Sequence, residues 1–214
     1  MFYEPRKGHG LKFDPFKAIV APRPIGWIST VDRDGRPNLA PYSFFNAMGS
    51  PPPMVAFSSD GLKDSAANAV ATGEFVFNLA TMPLGRQMNA TSESVPHEVN
   101  EFDLAGLAMA PSRLVKPGRV AASPASFECK LLQVVHLHDI DGKPTHSHVV
   151  FGQVVGVHID PRFIKDGRFD TAGAQPLARC GYQDYAVVTE IFEMVRPDEL
   201  RARAAQPQPA KVEA

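Results

Sequence analysis

Two short stretches bring together the residue types that hold a phosphate and a flat polar ring. Ser58 and Ser59 end a short extended run from Met54, and Lys63-Asp64-Ser65 open a run of helix formers shortly after. Free backbone amides and the positive end of a helix dipole favour an anion at such a start. The hydroxyls of Ser58, Ser59 and Ser65 and the Lys63 ammonium would complete its shell. A plain helix cap followed by a surface lysine is the bland alternative. The second stretch, Ala40-Pro41-Tyr42-Ser43-Phe44-Phe45-Asn46, sets hydroxyls, an amide and flat apolar side chains side by side. That mixture suits a planar ligand with polar edges.

Other chemistry is less well served. His136, His138, His146 and His148 form two His-x-His pairs, and alternate residues of a strand face the same way. No carboxylate or cysteine spacing completes a metal site around them, so the expectation is no metal and a solvated hairpin face. Gly-x-Ser-x-Gly, the dinucleotide fingerprint and the P-loop are absent. Cys129 and Cys180 are far apart and in no CxxC pattern, which reads as two reduced thiols.

The elements that must position these residues are mostly strands. An apolar run from Ile25 to Val31, a turn at Asp32-Arg33-Asp34-Gly35 and an extended run from Pro37 to Ser43 make a hairpin. Met48 to Pro53 reads as a rigid loop and Met54 to Ser59 as a strand. A helix follows to Thr72, with Gly73 just past its end. Glu74 to Ala80 reads as a strand, Pro83 to Ala90 as a second helix, and Ser92 to Ala110 as loop. Ser126 to Ile140 and His148 to Ile159 flank a turn at Asp141-Gly142-Lys143-Pro144, and Tyr185 to Val195 supplies a last apolar run. Trp27, Phe44 and Phe57 alternate along such strands and read as core rather than stacking partners. Twenty prolines and 16 glycines favour turns over long helices, and the whole suggests a closed or nearly closed β-barrel.

Composition limits the partners. The formal net charge of -1 offers no electrostatic grip on nucleic acid or anionic lipid. No apolar run approaches the roughly 20 residues that span a bilayer, and the first ten residues lack the apolar segment of a signal peptide. A cytoplasmic protein is the expectation. Residues 1–200 read as one domain with an arm at 1–17, and 201–214 as a disordered Ala/Pro/Gln-rich tail.

Several motifs, in order, resemble the flavin reductase-like proteins with the FMN-binding split-barrel fold, of the flavoredoxin and NAD(P)H:flavin oxidoreductase type. They are Arg23-Pro24-Ile25-Gly26-Trp27-Ile28-Ser29-Thr30, Gly35 with Asn38 to Ser43, Phe45-Asn46, Lys63-Asp64-Ser65 with Asn68, and Gly73 to Leu79. Phe151-Gly152-Gln153-Val154 and Arg179 to Tyr185 complete the set, with Cys180 and Tyr182 where the commonest pattern has an aliphatic residue and glycine. The resemblance implies a mainly β homodimer with a few short helices, binding FMN rather than FAD near the subunit interface. It also implies that Tyr42, Ser43 and Asn46 line the isoalloxazine while Ser58, Ser59, Lys63, Asp64 and Ser65 hold the ribityl phosphate. NAD(P)H would be the co-substrate, with His148 (or His146) near the nicotinamide. Electrons would pass on to free flavin, a partner oxygenase, a metal chelate or oxygen. An FMN electron carrier without nicotinamide activity, and a barrel that binds no flavin, are the competing expectations.

Overall fold

The computed structural model describes residues 1–205, and its main element is a curled seven-stranded antiparallel sheet. The strands are β1 (Gly26–Val31), β2 (Pro37–Tyr42), β3 (Phe45–Gly49), β4 (Met54–Asp60), β5 (Glu74–Leu79), β6 (Ala125–His138) and β7 (Pro144–Ile159). Their order across the sheet is β2-β1-β5-β6-β7-β4-β3. The two edge strands, β2 and β3, are consecutive in sequence and joined only by Ser43 and Phe44. The sheet therefore has to curl into a half-barrel that brings its edges together at this link.

Aromatic side chains fill the curl. Phe45, at the start of one edge, stacks on Phe77 of β5 with ring centroids 4.7 Å apart and planes 8° from parallel. That approach passes over Gly26, where a Cβ would lie 2.5 Å from Phe45 Cδ2, so no larger residue fits. Ile28, Phe57, Phe75, Cys129 and Val150 complete the interior, and Ala66 and Ala69 of α1 (Asp64–Thr72) plug it. Helix α1 stops at Gly73, which takes the left-handed conformation expected of it. A second core forms around the fully buried Trp27, with Leu39, Phe102, Val120 and Leu177. Its cover comes from α2 (Gly85–Ala90) and α3 (Glu101–Leu104), together with a small sheet of Arg23–Pro24, Leu177–Arg179 and Tyr185–Val187. The buried Arg23 guanidinium ties the arm to this sheet, donating to the carbonyls of Lys17, Val20 and Cys180.

Several boundaries differ from expectation. The expected loop from Met48 is preceded by an edge strand that ends at Gly49 with a register shift; its single pairing partner leaves no alternation to read. Strand β7 begins at Pro144 rather than His148, because the hairpin with β6 zips down to its turn. The 92–110 segment contains α3, whose first turn is capped by the Asn100 side chain. Only Tyr185–Val187 of the 185–195 run pairs in a sheet; Ile191, Phe192 and Met194 beyond it are exposed. An α-helix at Pro197–Ala205 occupies the start of the expected tail, and residues 206–214 lie outside the described residues.

Candidate functional site

Where the sheet edges meet, β2 and α1 come together. Alternation along β2 places Asn38, Ala40 and Tyr42 on one wall of a cavity of 370 Å3. Lys63, Asp64 and Ser65 of the α1 start form a second wall, and residues 91–95 with Glu101 a third. Lys63 sits at the N-cap in extended conformation, and no side chain caps the helix. Its first-turn amides are thus unclaimed by any cap, at the positive end of the dipole.

One polar atom beside Tyr42, the Oγ of Ser59, is unsatisfied, although Ser59 itself does not line the cavity. Tyr42 packs on Phe57 at 4.7 Å, and burial pushes its phenol up, against the opposing pull of the Ser65 and Ser59 hydroxyls. The phenol therefore stays protonated near neutral pH. Ser65 is buried and accepts a bond from Asn38 Nδ2 at 2.8 Å. Ser59 points inward like Phe57, beside the Tyr42 phenol but without a formed hydrogen bond: its Oγ is fully buried and unpartnered among the described residues. Glu101 accepts from the Leu39 amide at 3.0 Å, and burial raises its carboxyl above the ordinary value.

The structure thus brings Tyr42, Ser59, Lys63, Asp64 and Ser65 together and leaves three expected residues apart. Ser58 faces away from Ser59 on the alternating strand, its amide bonded to the Phe44 carbonyl at 2.8 Å. Ser43 is half-buried in the link, and Asn46 is exposed with its Oδ1 accepting from the Ala47 amide. His148 pairs in register with Ser59, and its ring stacks on His136 at 4.2 Å with planes 9° apart. Among the described residues no group of three or more His, Cys, Asp or Glu side chains is arranged to hold a metal ion.

Trp27 and Phe57 are wholly buried, as core residues should be. Phe44 is not core: it is 44% exposed, with the Arg23 guanidinium 5.8 Å from its ring. Tyr42 and Phe45 on either side of it turn inward, so the two-residue link sends Phe44 out. Both cysteines are free; burial pushes the Cys129 thiol up to about 12, too high for a nucleophile.

Sequence reasoning missed Asn38, Glu101 and the 91–95 segment as lining residues. Asn38 was legible from period-two spacing with Tyr42; the other two reach the cavity through a loop whose path leaves no periodic signal.

A second cavity, of 460 Å3, shares no lining residue with the first and includes Arg113, Arg119, Glu128 and His158. Glu128 is wholly buried, and every approach to its carboxylate is taken. Oε1 accepts from the Arg113 amide and from His158 Nε2, and Oε2 accepts from the Leu114 and Val115 amides. Burial works to raise this carboxyl, but the bonds from His158 and the amides outweigh it and hold it below the usual value.

The family of flavin reductase like domains matches residues 20–173 of the chain. An uncharacterized protein of Aquifex aeolicus is 36% identical over 173 residues, covering 78% of this chain and 85% of its own. Among solved structures, nitrilotriacetate monooxygenase component B from Bacillus cereus is 27% identical with a TM-score of 0.81, covering 91% of this chain and 98% of that one. The 2-nitrobenzoate 2-nitroreductase of Pseudomonas fluorescens is 26% identical with a TM-score of 0.75, over 85% and 88% of the two chains. The flavoredoxin of Desulfovibrio vulgaris shares the fold at 21% identity and a TM-score of 0.74, over 84% and 94%.

Proposed function

Because this chain belongs to the flavin reductase-like family, we propose that it is an FMN-dependent oxidoreductase that takes hydride from NAD(P)H. The observation that carries the reading is the cavity where an uncapped helix N-terminus, Lys63 and Ser65 meet the Tyr42 wall. Beside Tyr42 the fully buried Ser59 hydroxyl has no formed hydrogen bond and is free to pair with the phenol. The residues present therefore fit a phosphorylated flavin. Lys63, Ser65 and the first-turn amides of α1 would hold the phosphate and Tyr42 would donate from the barrel side, with Ser59 beside its phenol; Ser43 and Asn46, expected at the ring, do not line this cavity. Bound FMN supplies a hydride acceptor at N5 that can pass electrons onward.

The protein's part is positioning rather than proton transfer. The Tyr42 phenol, kept neutral by burial, is a donor whose charge does not change with pH in the working range. The aromatic interior of Phe45, Phe57 and Phe77 keeps water from one side of the site. His148, in register with Ser59 on the neighbouring strand, is the residue this reading gives to the nicotinamide.

Exposed Leu132, Val135 and Leu137 on β6 and Met48 on β3 are apolar surface that a second copy would cover, making a homodimer. The acceptor is free flavin, oxygen, a metal chelate or a partner oxygenase; component B of a monooxygenase among the similar structures favours the last. No helix among the described residues is long and apolar enough to cross a membrane.

The test is an FMN titration followed by anaerobic addition of NADH or NADPH. Binding with bleaching of the flavin bands supports the reading. Binding without bleaching by either nicotinamide reassigns the protein as an electron carrier, and no binding removes the flavin site.

A further inference from the structure

His97 stands on the loop between α2 and α3, outside the cavity, and both of its ring nitrogens face carboxylates. Nδ1 lies 2.9 Å from Asp64 Oδ1, and Nε2 lies 3.1 Å from Asp32 Oδ2. An ionised carboxylate only accepts, so both ring nitrogens must carry protons for the two bonds to coexist. A neutral imidazole serves one of them and turns a lone pair on the other. The bridge is a structure of the imidazolium.

Its two anchors are unequal. Asp32, in the hairpin turn, is already paired with the Arg36 guanidinium at 2.7 Å. Asp64 opens α1 and lines the cavity beside Lys63, and His97 is its one ion-pair partner among the described residues. The cavity lining holds three carboxylates, Asp64, Glu93 and Glu101, against the single cation Lys63. A phosphate entering next to Asp64 meets a like charge unless that charge is compensated.

We propose that His97, as an imidazolium, is the positioning residue that neutralises Asp64, so that affinity for a phosphate-bearing flavin falls as pH rises through the His97 titration. This rests on the reading of the cavity as the FMN phosphate site. The groups that face His97 are Asp64 on α1, Asp32 and Arg36 at the hairpin turn, and Glu101 on α3, with Glu98 its neighbour in sequence. The bonds to Asp64 and then Asp32 raise its pKa above the ordinary histidine value, with Arg36 acting in the opposite sense. The charged form is thus complete below about pH 6.5 and is lost as pH climbs through the raised value.

The experiment compares dissociation constants of FMN and riboflavin, which lacks the phosphate, from pH 6.5 to 9. It uses the wild-type protein, His97→Gln and His97→Lys; the side chain is 40% exposed, so neither replacement disturbs the core. Wild-type affinity for FMN should fall on the order of tenfold across the range while riboflavin stays level. The Gln variant should bind FMN at the weak, high-pH value throughout. The Lys variant, still charged at pH 9, should hold tighter binding without the slope. Reciprocally, FMN should raise the His97 titration midpoint seen by NMR by the same factor. A wild-type FMN affinity level across the range, a Gln variant that keeps the wild-type slope, or riboflavin falling in parallel would each overturn the inference and leave the flavin site standing. FMN that fails to bind at any pH would remove the site and the inference together.

Discussion

The carboxylate of Glu128 and the hydroxyl of Ser59 are both sealed from solvent, yet the fold treats them in opposite ways. Glu128 receives three backbone amides and an imidazole. Ser59 Oγ receives nothing, and the nearby helix start has no cap. A buried group left without a partner costs about 1–3 kcal/mol, so it calls for an explanation. Saturation marks Glu128 as a fastener that ties residues 113–115 to the sheet. On the proposed reading, incompleteness at the Tyr42–Ser65 region is where a ligand completes the set.

Substitutions can break this contrast, beginning with the largest effect. Glu128→Ala strands His158 and three amides, and should cost about 3–5 kcal/mol of stability in urea unfolding; a loss under about 1 kcal/mol would deny the fastener role. Lys63→Ala removes an exposed ammonium, so it should weaken FMN binding by about 1–3 kcal/mol while leaving the melting temperature unchanged. Unchanged FMN affinity would move the phosphate elsewhere. Ser59→Ala should show the contrast within one residue: the free protein is no less stable, because an unpartnered hydroxyl is gone, yet FMN binds more weakly by about 1 kcal/mol. Destabilisation of the free protein would mean that the hydroxyl already has a partner.

The smallest effect is in acid, and its sign differs between the two regions. Glu128 has a lowered carboxyl pKa, so its contribution is complete above the ordinary value near 4.5 and is lost as pH falls through the lower folded value. Glu101 is raised by burial, so its charged form opposes folding above that range and protonation relieves the opposition as pH falls. Glu128→Gln should therefore flatten the acid-side loss of stability, and Glu101→Gln should remove a gain. Equal slopes in the two variants would contradict the contrast.

How much of this was legible in the chain follows from how local each signal is. The 26–42 hairpin, α1 with its Gly73 stop, and the long β6–β7 pair were readable because turn chemistry and periodicity are local. That Tyr42, Lys63, Asp64 and Ser65 come together at one cavity was readable for the same reason, since each sits at the end of such an element. Strand β3 was hidden because an edge strand pairs on one side only. The facing of Ser58 away from Ser59 depends on which face of β4 the curled sheet buries. Glu101 and His97 arrive through a loop whose route is set by the second core around Trp27, and that packing has no signature in neighbouring residues.

The most direct measurement is a side-by-side fluorescence titration of the purified protein with FMN and riboflavin at pH 6.5. Both flavins should bind saturably, with FMN tighter by on the order of tenfold or more through Lys63, Ser65 and the amides at the start of α1. No binding of FMN, or equal binding of the two flavins, would contradict the assignment of that cavity to the phosphate.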